Sequence, residues 1–453
     1  MVDLEAVPRR AGSSGRGQSW NAPPRILLAA TSCWAATARL AKAFVVAGCS
    51  VEVVCPRGHP VTRTGAAARV HRYHVFAPLR SVEAAIRAAR PDLIIPCDDL
   101  ARSHLAHLHE RGRRRGDSAA GIAVLEDSLG EASSMSVATG RSDLIAVARA
   151  LGVRAPATAV ARSRQEVRDW LVEYRSPVVL KTDGSYGGGG VQVVDSLDEA
   201  DRAWRALSAP PSLGRAIKRA IVNRDMTETI LCIRRRRPVV NMQTFVPGQD
   251  ANCTVACWKG NVLASITVSV LETVSPRGPA SVVRVIENRE VSAAVDVIVR
   301  RLKLSGLIGL DFIFEERNGD AYLIEMNPRA PQICHLQLGT GRDLPGSLRA
   351  ALTGDPPRGT LPVTESDVIA LFPQEWLRDP ASEFLRTAYH DVPWDEPDLV
   401  RACIDEVIVH RIRTGLSRQV YEAPARLAGA KRRVLGRRTG RPWPDHTCDR
   451  PLS

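Results

Sequence analysis

Two apolar, β-rich runs joined by an Asn-Gly turn constrain the fold of this chain most strongly. The first run spans residues 306–315, and the second spans residues 321–327 and ends at Pro328-Arg329. Asn-Gly between two such runs is the strongest short-range signal for a β-hairpin. The sequence therefore predicts an antiparallel pair of strands that turns at Asn318-Gly319.

The length of the turn decides which side chains share a face of this hairpin. A two-residue turn would pair Asp311 with Met326 and leave Asp311 and Glu325 on opposite faces. We predict instead a three-residue loop, Arg317-Asn318-Gly319 with glycine in the left-handed conformation, which pairs Asp311 with Glu325. One face then carries Asp311, Ile313, Leu323, Glu325 and Asn327, and the other carries Phe312, Phe314, Tyr322 and Ile324.

Two carboxylates and a carboxamide on one surface can form a site for a hard cation from oxygen ligands alone. The alternative is an antiparallel pair whose polar face is simply solvated. Glu325 stands in an otherwise apolar strand, and Asn327-Pro328-Arg329 ends that strand with a fixed turn and a guanidinium. Both features favour the cation site.

Length and composition set the class of protein. A chain of 453 residues predicts about three domains of ~150 residues. No apolar run reaches the ~20 residues that a membrane-spanning helix needs. The first 24 residues lack an apolar core, so we expect a disordered arm rather than a secretory signal. The ten cysteines contain no Cys-x-x-Cys pair, which predicts reduced thiols in a cytoplasmic protein.

The basic residues are the next feature with functional meaning. The net charge is +13, but no aromatic side chains interleave with the arginine runs as a stacking platform for nucleic acid would require. Solvated charge is therefore the better interpretation, and a nucleic-acid-binding protein remains an alternative that deletion of the basic tail would test. Only six of the 62 basic residues are lysines. A lysine at a special position is correspondingly informative.

The N-terminal region alternates strands with helices, which predicts a small parallel α/β sheet. The predicted strands include residues 25–30, 51–54, 92–95 and 121–125. The first turn lacks Gly-x-Gly-x-x-Gly, so dinucleotide binding is not supported. Four polar residues lie at the carboxyl ends of these strands, either as ligand contacts or as helix caps: Thr31, Ser32, Asp98 and Asp99.

Lys181 ends a strand and is followed by a glycine-rich loop, residues 184–190, and then by a second strand. Glycines permit positive φ and close approach, so successive backbone N–H groups of such a loop can point at an anion. The loop between two strands is not a Walker loop. It indicates either a phosphate-binding lid or a flexible hairpin.

Lys181 with its glycine loop, and Asp311 followed by Glu325-x-Asn327-x-Arg329, resemble the ATP-grasp superfamily. That superfamily includes biotin carboxylase, carbamoyl phosphate synthetase and D-alanine–D-alanine ligase. The resemblance covers about residues 25–354. It implies a three-domain α/β (α+β) architecture: an N-terminal parallel α/β domain, a small lobe with the glycine loop and a larger antiparallel lobe.

The resemblance also implies a role for each matching residue. Arg141 falls where the family usually has a phosphate-binding lysine, and Arg329 would stabilise an anionic intermediate. Two Mg²⁺ ions, with Mn²⁺ as a substitute, would be held by Asp311, Glu325 and Asn327. The implied ATP contacts are Arg141, Lys181, Gly187, Gly188, Gly189, Gln243, the hinge residues Thr244, Phe245 and Val246, and Asp250. Gln332 and His335 are candidate substrate contacts, although a lone histidine is more often structural.

We predict the following division of the chain: an arm (1–24), an N-terminal α/β domain (25–130), a small lobe (131–212), a large lobe (213–355), a C-terminal extension (356–425) and a basic mobile tail (426–453).

The resemblance implies an ATP- and Mg²⁺-dependent carboxylate–amine ligase that acts through an acylphosphate. Its partners would be a small carboxylic acid and an amine or another nucleophile, with no membrane, and a homodimer is left open. A bicarbonate-using carboxylase of the biotin carboxylase type and a non-catalytic ATP-binding module are the alternatives.

Overall fold

The structure is a computed structural model, and it describes residues 22–413 except 117–118, 132, 135–136, 138–139, 176, 183–189, 210–237, 277, 357–358 and 360. The predictions for the arm up to residue 21 and for the basic tail therefore lie outside the described residues. None of the described helices is long and apolar enough to cross a membrane.

The N-terminal sheet is parallel, as predicted, with the strand order β3-β2-β1-β4. Its strands are β1 (Arg25–Ala29), β2 (Ser50–Cys55), β3 (Arg69–Arg72) and β4 (Leu93–Pro96). Its helices are Ala35–Val46, Pro78–Ala89, Asp99–Arg115 and Ala119–Leu129, with a 3₁₀ turn at Pro60–Arg63.

The strand predicted at residues 121–125 is wrong, because these residues lie in the helix Ala119–Leu129. Leu125 and Leu129 are both buried in the core beneath the sheet. A four-residue spacing of buried side chains is the spacing of one helix face. The short apolar run alone does not distinguish a helix from a buried strand.

A second, smaller sheet has the antiparallel order β5-β8-β6-β7. Its strands are β5 (Thr158–Ala161), β6 (Val178–Thr182), β7 (Val191–Val194) and β8 (Val240–Thr244), and the helices Arg164–Tyr174 and Leu197–Ser208 pack with it. The helix Arg141–Ala150 precedes this sheet. Strand β8 thus pairs within the small sheet although it follows residue 213, the proposed start of the large lobe.

The third sheet has seven strands in the order β13-β12-β9-β10-β11-β14-β15. Its strands are β9 (Gly248–Trp258), β10 (Asn261–Thr273), β11 (Ala280–Ile286), β12 (Gly306–Glu315), β13 (Ala321–Asn327), β14 (Val368–Leu371) and β15 (Tyr389–Asp391). The helices of this region are Arg289–Leu302, Leu344–Thr353, Gln374–Arg378, Phe384–Thr387 and Pro397–Arg413. Strands β14 and β15 come from the predicted C-terminal extension, so that segment completes the edge of the large sheet. The domain boundaries remain proposals.

The hairpin β12–β13 pairs Asp311 with Glu325, as predicted, but by a different route. The loop is not the three residues 317–319. Phe314 pairs with Ala321, and the Glu315 amide donates to the Asp320 carbonyl, which leaves the four residues 316–319 in the loop.

A β-bulge restores the register further along the same hairpin. Phe312 pairs with Leu323 while Asp311 pairs with Glu325, so Ile324 is the extra residue. Gly319 does adopt the predicted positive φ, at 74°. The bulge also corrects the predicted faces, because Leu323 lies with Phe312 in the core and not beside Asp311.

The two faces of the large sheet pack against different partners. One face buries Leu310, Phe312 and Leu323 against the helix Arg289–Leu302. The other face shares a core with the N-terminal sheet, in which Ile266 and Leu307 pack with residues such as Ile95. The register places Asp311 opposite Asn252 on this second face, so the carboxylate points to the side where the N-terminal sheet lies.

Candidate functional site

Asp311 is the centre of the site on the hairpin. Asn252 Nδ2 donates to Asp311 Oδ1 over 2.5 Å, and Asn327 Nδ2 donates to Asp311 Oδ2 over 2.8 Å. Burial, followed by the charge of Glu325, raises the pKa of Asp311 to about 6. No motif marked Asn252 in the sequence, and its role follows only from the pairing of β9 with β12.

Arg141 reaches the other carboxylate of the hairpin. Its Nη2 lies 3.2 Å from Glu325 Oε2, and its Nη1 donates to the Thr182 carbonyl over 2.8 Å. The guanidinium therefore bridges the metal-ligand candidate Glu325 and the end of strand β6. This position is the one that the resemblance assigned to a phosphate-binding cation.

Lys181 is buried at the same place, with 8% of its surface exposed. Burial lowers the pKa of Lys181 to about 8. The carboxylates of Glu325, Asp311 and Asp250 raise this pKa, and the positive charge of Arg141 lowers it further. Within the described part of the chain its ammonium forms no ion pair and no hydrogen bond. A buried cation without a direct partner is costly, and an anionic ligand would offset that cost.

The residues predicted to contact adenine and ribose, Gln243 to Asp250, run from strand β8 of the small sheet to strand β9 of the large sheet. Gln243 is buried on β8 and donates through Nε2 to Thr158 Oγ1 over 3.0 Å. The Phe245 amide donates to the Pro177 carbonyl, whereas the Val246 amide has no partner among the described residues. Asp250 lies on β9 opposite Ile313, and burial raises its pKa against the opposing charge of Lys181. Gly187, Gly188 and Gly189 lie outside the described residues.

The predicted metal ligands fit a magnesium site. The donor set is two carboxylates and a carboxamide, which is all oxygen, as Mg²⁺ prefers. Burial, followed by the negative charge of Glu325, raises the pKa of Asp311, and a cation bound between the two carboxylates would favour their charged forms. The described residues contain no group of three or more His, Cys, Asp or Glu side chains that could hold a metal ion by themselves.

Arg329 follows the hairpin and reaches the N-terminal domain. Its Nε donates to Asp99 Oδ1 over 3.0 Å, and its Cζ lies 6.0 Å from the centre of the Trp34 ring. Burial would lower the pKa of Arg329, but Asp99 and the further carboxylates of Asp311 and Asp98 raise it. The sequence suggested either a ligand contact or a cap for Asp99. In the structure Asp99 forms an ion pair with Arg329, the predicted catalytic residue.

Asp98 takes the capping role that the sequence left open. It begins the helix Asp99–Arg115 and accepts hydrogen bonds from Ala101, Ser32 and both the amide and the hydroxyl of Thr31. These four bonds occupy its carboxylate fully. Asp98 therefore connects the turn after β1 (Thr31-Ser32) to the N-terminus of the helix, and both of its carboxylate oxygens are already used as acceptors.

The two substrate candidates beyond Arg329 are both engaged with the protein. Gln332 Nε2 donates to the Ala280 carbonyl over 2.9 Å. The His335 ring is buried, with Nε2 2.9 Å from Asp391 Oδ2, and Asp391 in turn forms a bidentate pair with Arg39. Burial, together with Arg39, lowers the pKa of His335. Their substrate roles stay predictions, and the geometry of His335 is that of a structural residue.

Comparison with known proteins decides which fold this arrangement belongs to. Residues 144–331 match the family model of the ATP-grasp domain. Residues 144–331 form an ATP-grasp domain. This assignment confirms the predicted superfamily and the predicted mixed α/β architecture. The matched region contains Lys181, the adenine-side residues and the complete hairpin, and Arg141 lies three residues before it.

Solved structures share the ATP-grasp fold over most of the chain. The biotin carboxylase domain of 2-oxoglutarate carboxylase from Hydrogenobacter thermophilus is 15% identical, with a TM-score of 0.52 over 74% of this chain and 71% of that one. The N5-carboxyaminoimidazole ribonucleotide synthetase purK, solved with ADP, is also 15% identical, with a TM-score of 0.52 over 75% and 79%. The synthetase from Staphylococcus aureus is 12% identical, with a TM-score of 0.51 over 76% and 80%. At these identities the likeness shows the fold. No curated protein sequence matches the chain.

Proposed function

We propose that this protein is an ATP- and Mg²⁺-dependent ligase that joins a carboxylic acid to an amine or another nucleophile through an acylphosphate. One observation carries the proposal. Asp311 and Glu325 are paired across the hairpin while Lys181, Arg141 and Asp250 converge on the same place. This is a set of oxygen ligands for a divalent cation beside two cations for phosphate.

The ATP-grasp domain supports ATP and Mg²⁺ as the cofactors. Among the solved structures, the biotin carboxylase domain was determined with MgADP. In this chain Asp311, Glu325 and Asn327 would hold the metal, which neutralises charge on the β- and γ-phosphates as a phosphoryl group moves. Lys181 and Arg141 would bind the phosphates, and the Val246 amide, which has no partner among the described residues, would bind the adenine.

The chemical steps need no covalent nucleophile from the protein. A carboxylate oxygen of the acid attacks the γ-phosphorus, the bond to the β–γ bridging oxygen breaks, and its electron pair leaves with ADP. The nucleophile then attacks the carbonyl carbon, the carbon–oxygen bond to phosphate breaks, and an amine loses a proton. Arg329 would stabilise the negative charge that develops between these two steps.

The test is ADP release by the full-length protein with ATP, Mg²⁺ and a panel of acids and amines, with bicarbonate plus biotin as a separate arm. Hydroxylamine should trap an acylphosphate as a hydroxamate in any active combination. Glu325→Gln should lower turnover by about 10²- to 10³-fold, because a half-buried carboxylate that would hold the metal beside the reacting phosphate is lost. The matched control is Glu315→Gln on the same hairpin, which should keep turnover.

Three outcomes would contradict the proposal. Full turnover in Glu325→Gln would remove the metal site from the mechanism. Turnover in the bicarbonate arm alone would favour a carboxylase. ATP binding without turnover in any arm would leave an ATP-binding module.

A further inference from the structure

The charges around Arg329 are arranged in a way that the proposed ligase reaction does not by itself require. Only Nε of this guanidinium is bound, to Asp99 Oδ1. Its two Nη atoms form no hydrogen bond or ion pair with any described residue. The Arg329 side chain is 13% exposed, so it is a partly buried cation whose Nη donors are not used by the described residues.

Only one carboxylate oxygen of Asp99 accepts a hydrogen bond from the described residues. Its Oδ1 accepts from Arg329, but its Oδ2 takes no hydrogen bond from the described residues. The side chain is 39% exposed, in contrast to the neighbouring Asp98, whose carboxylate is saturated by the β1 turn and the helix N-terminus. Asp99 therefore presents a negatively charged oxygen to solvent directly beside Arg329.

Trp34 provides the third element of this surface. The indole is 38% exposed at the carboxyl end of the N-terminal sheet, and its ring lies within cation–π distance of the Arg329 guanidinium. An exposed indole and an exposed carboxylate are the two groups that attract an ammonium ion. Both lie next to the guanidinium expected to face the carboxylate substrate.

We infer that the acid substrate is a zwitterion of the amino-acid class, with its carboxylate on the Nη atoms of Arg329 and its ammonium on Asp99 and Trp34. A 3.0 Å pair of opposite charges is the complement of a molecule that carries an ammonium and a carboxylate on one carbon. An acid without the amine would place its carboxylate near Asp99 without compensation, and that repulsion selects against it. The inference rests on the proposed ligase function.

The test compares each amino acid with its des-amino and N-acetyl counterparts in the ADP-release assay. The same pairs are measured by calorimetry in the presence of Mg²⁺ and a non-hydrolysable ATP analogue. We expect the amino acid to bind and react about tenfold to hundredfold better than its des-amino form, as for a charged hydrogen bond. Asp99→Asn should abolish this ratio, Asp99→Glu should restore part of it, and Trp34→Leu should reduce it by a smaller factor.

The ratio separates recognition from a merely structural effect. Loss of the Asp99 carboxylate also releases Arg329, but this change weakens both members of each pair alike and leaves their ratio unmoved. Asp398→Asn is the matched control, because Asp398 also lies in the first turn of a helix and pairs with an arginine, Arg401, at 2.9 Å.

The outcomes are distinct. Equal use of amino and des-amino acids, or a ratio that survives in Asp99→Asn, overturns the inference and leaves the ligase function standing. ADP release with no acid at all, from folded protein that binds the ATP analogue, overturns the ligase function and the inference together.

Discussion

Two regions of this molecule bury charged groups in opposite ways. Around Lys181 and Asp311 the charges are poorly compensated: the ammonium lacks an ion pair with any described residue, and the carboxylate has its pKa raised to about 6. Around Asp391 the charges are fully paired. Burial would raise the pKa of Asp391, but Arg39 and His335 lower it to about 2.

The contrast distinguishes a site for ligands from a structural connection. An uncompensated buried charge destabilises the unliganded protein, and the binding of an oppositely charged ligand reduces this free-energy cost. In the Arg39–Asp391–His335 cluster the carboxylate is instead paired with protein groups on both oxygens, and the cluster connects the helix Ala35–Val46 to strand β15 and to the loop after Arg329. We therefore expect removal of charge to have opposite consequences in the two regions.

The largest effect is expected for Asp391→Ala. This change leaves Arg39 and His335 buried without their partner, and breaking such a pair costs about 3–5 kcal/mol. Chemical unfolding of the full chain should show the loss, while the affinity for ATP should stay close to that of the wild type. The control is Asp398→Ala, whose exposed pair with Arg401 should contribute about 1 kcal/mol or less. Equal losses in both variants would contradict the structural role.

Lys181→Met should show the converse behaviour. Removing a buried ammonium that has no ion pair with any described residue should leave the unfolding midpoint unchanged or raise it, because no described partner loses a direct contact. The dissociation constant for ATP should rise by about tenfold to hundredfold, the value of a charge-assisted hydrogen bond. Calorimetry with Mg²⁺ and a non-hydrolysable analogue measures it. The matched control is Lys259→Met, which changes an exposed lysine that pairs with Asp127. A destabilised Lys181→Met with normal affinity would reverse the assignment of the two regions.

Sequence reasoning located the first region much better than the second. Lys181, Asp311 and Glu325 each stand in a short motif that lies in one stretch of chain, and the fold brings those stretches together as expected. Even there the loop differed from the prediction. A three-residue loop was predicted to pair Asp311 with Glu325, whereas a four-residue loop and a bulge at Ile324 give this pairing. A bulge depends on the packing of Phe312 and Leu323 into the core, and no local signal announces it.

The second region could not be predicted because its partners are remote in sequence. Arg39 and Asp391 are 352 positions apart, and His335 and Asp391 are 56 apart. Neither Asp391 nor Arg39 stands in a motif, and the segment that carries Asp391 was predicted only as a C-terminal extension. Its two strands complete the large sheet, and that pairing places the carboxylate beside His335.

The smallest effect that we predict is a dependence of ATP binding on pH. Burial lowers the pKa of Lys181 in the unliganded protein to about 8. The positive charge of Arg141 acts in the same direction, and the carboxylates of Glu325, Asp311 and Asp250 oppose it. Below pH 8 the ammonium is present, and above it the amine is increasingly neutral and attracts phosphate less. Because phosphate favours the charged form, binding takes up a proton in that range.

The affinity for ATP should therefore be level below pH 8 and fall by up to about tenfold per pH unit above it. Lys181→Arg carries a permanent charge and should bind without this slope, which calorimetry from pH 7 to 9.5 can measure. The proton uptake itself should appear as a difference in binding enthalpy between buffers of different ionisation heat. If the affinity of Lys181→Arg for ATP still fell with pH, the titration would belong to another group. The contrast between the two regions would then be weaker, because the charge of Lys181 would be as well compensated as that of Asp391.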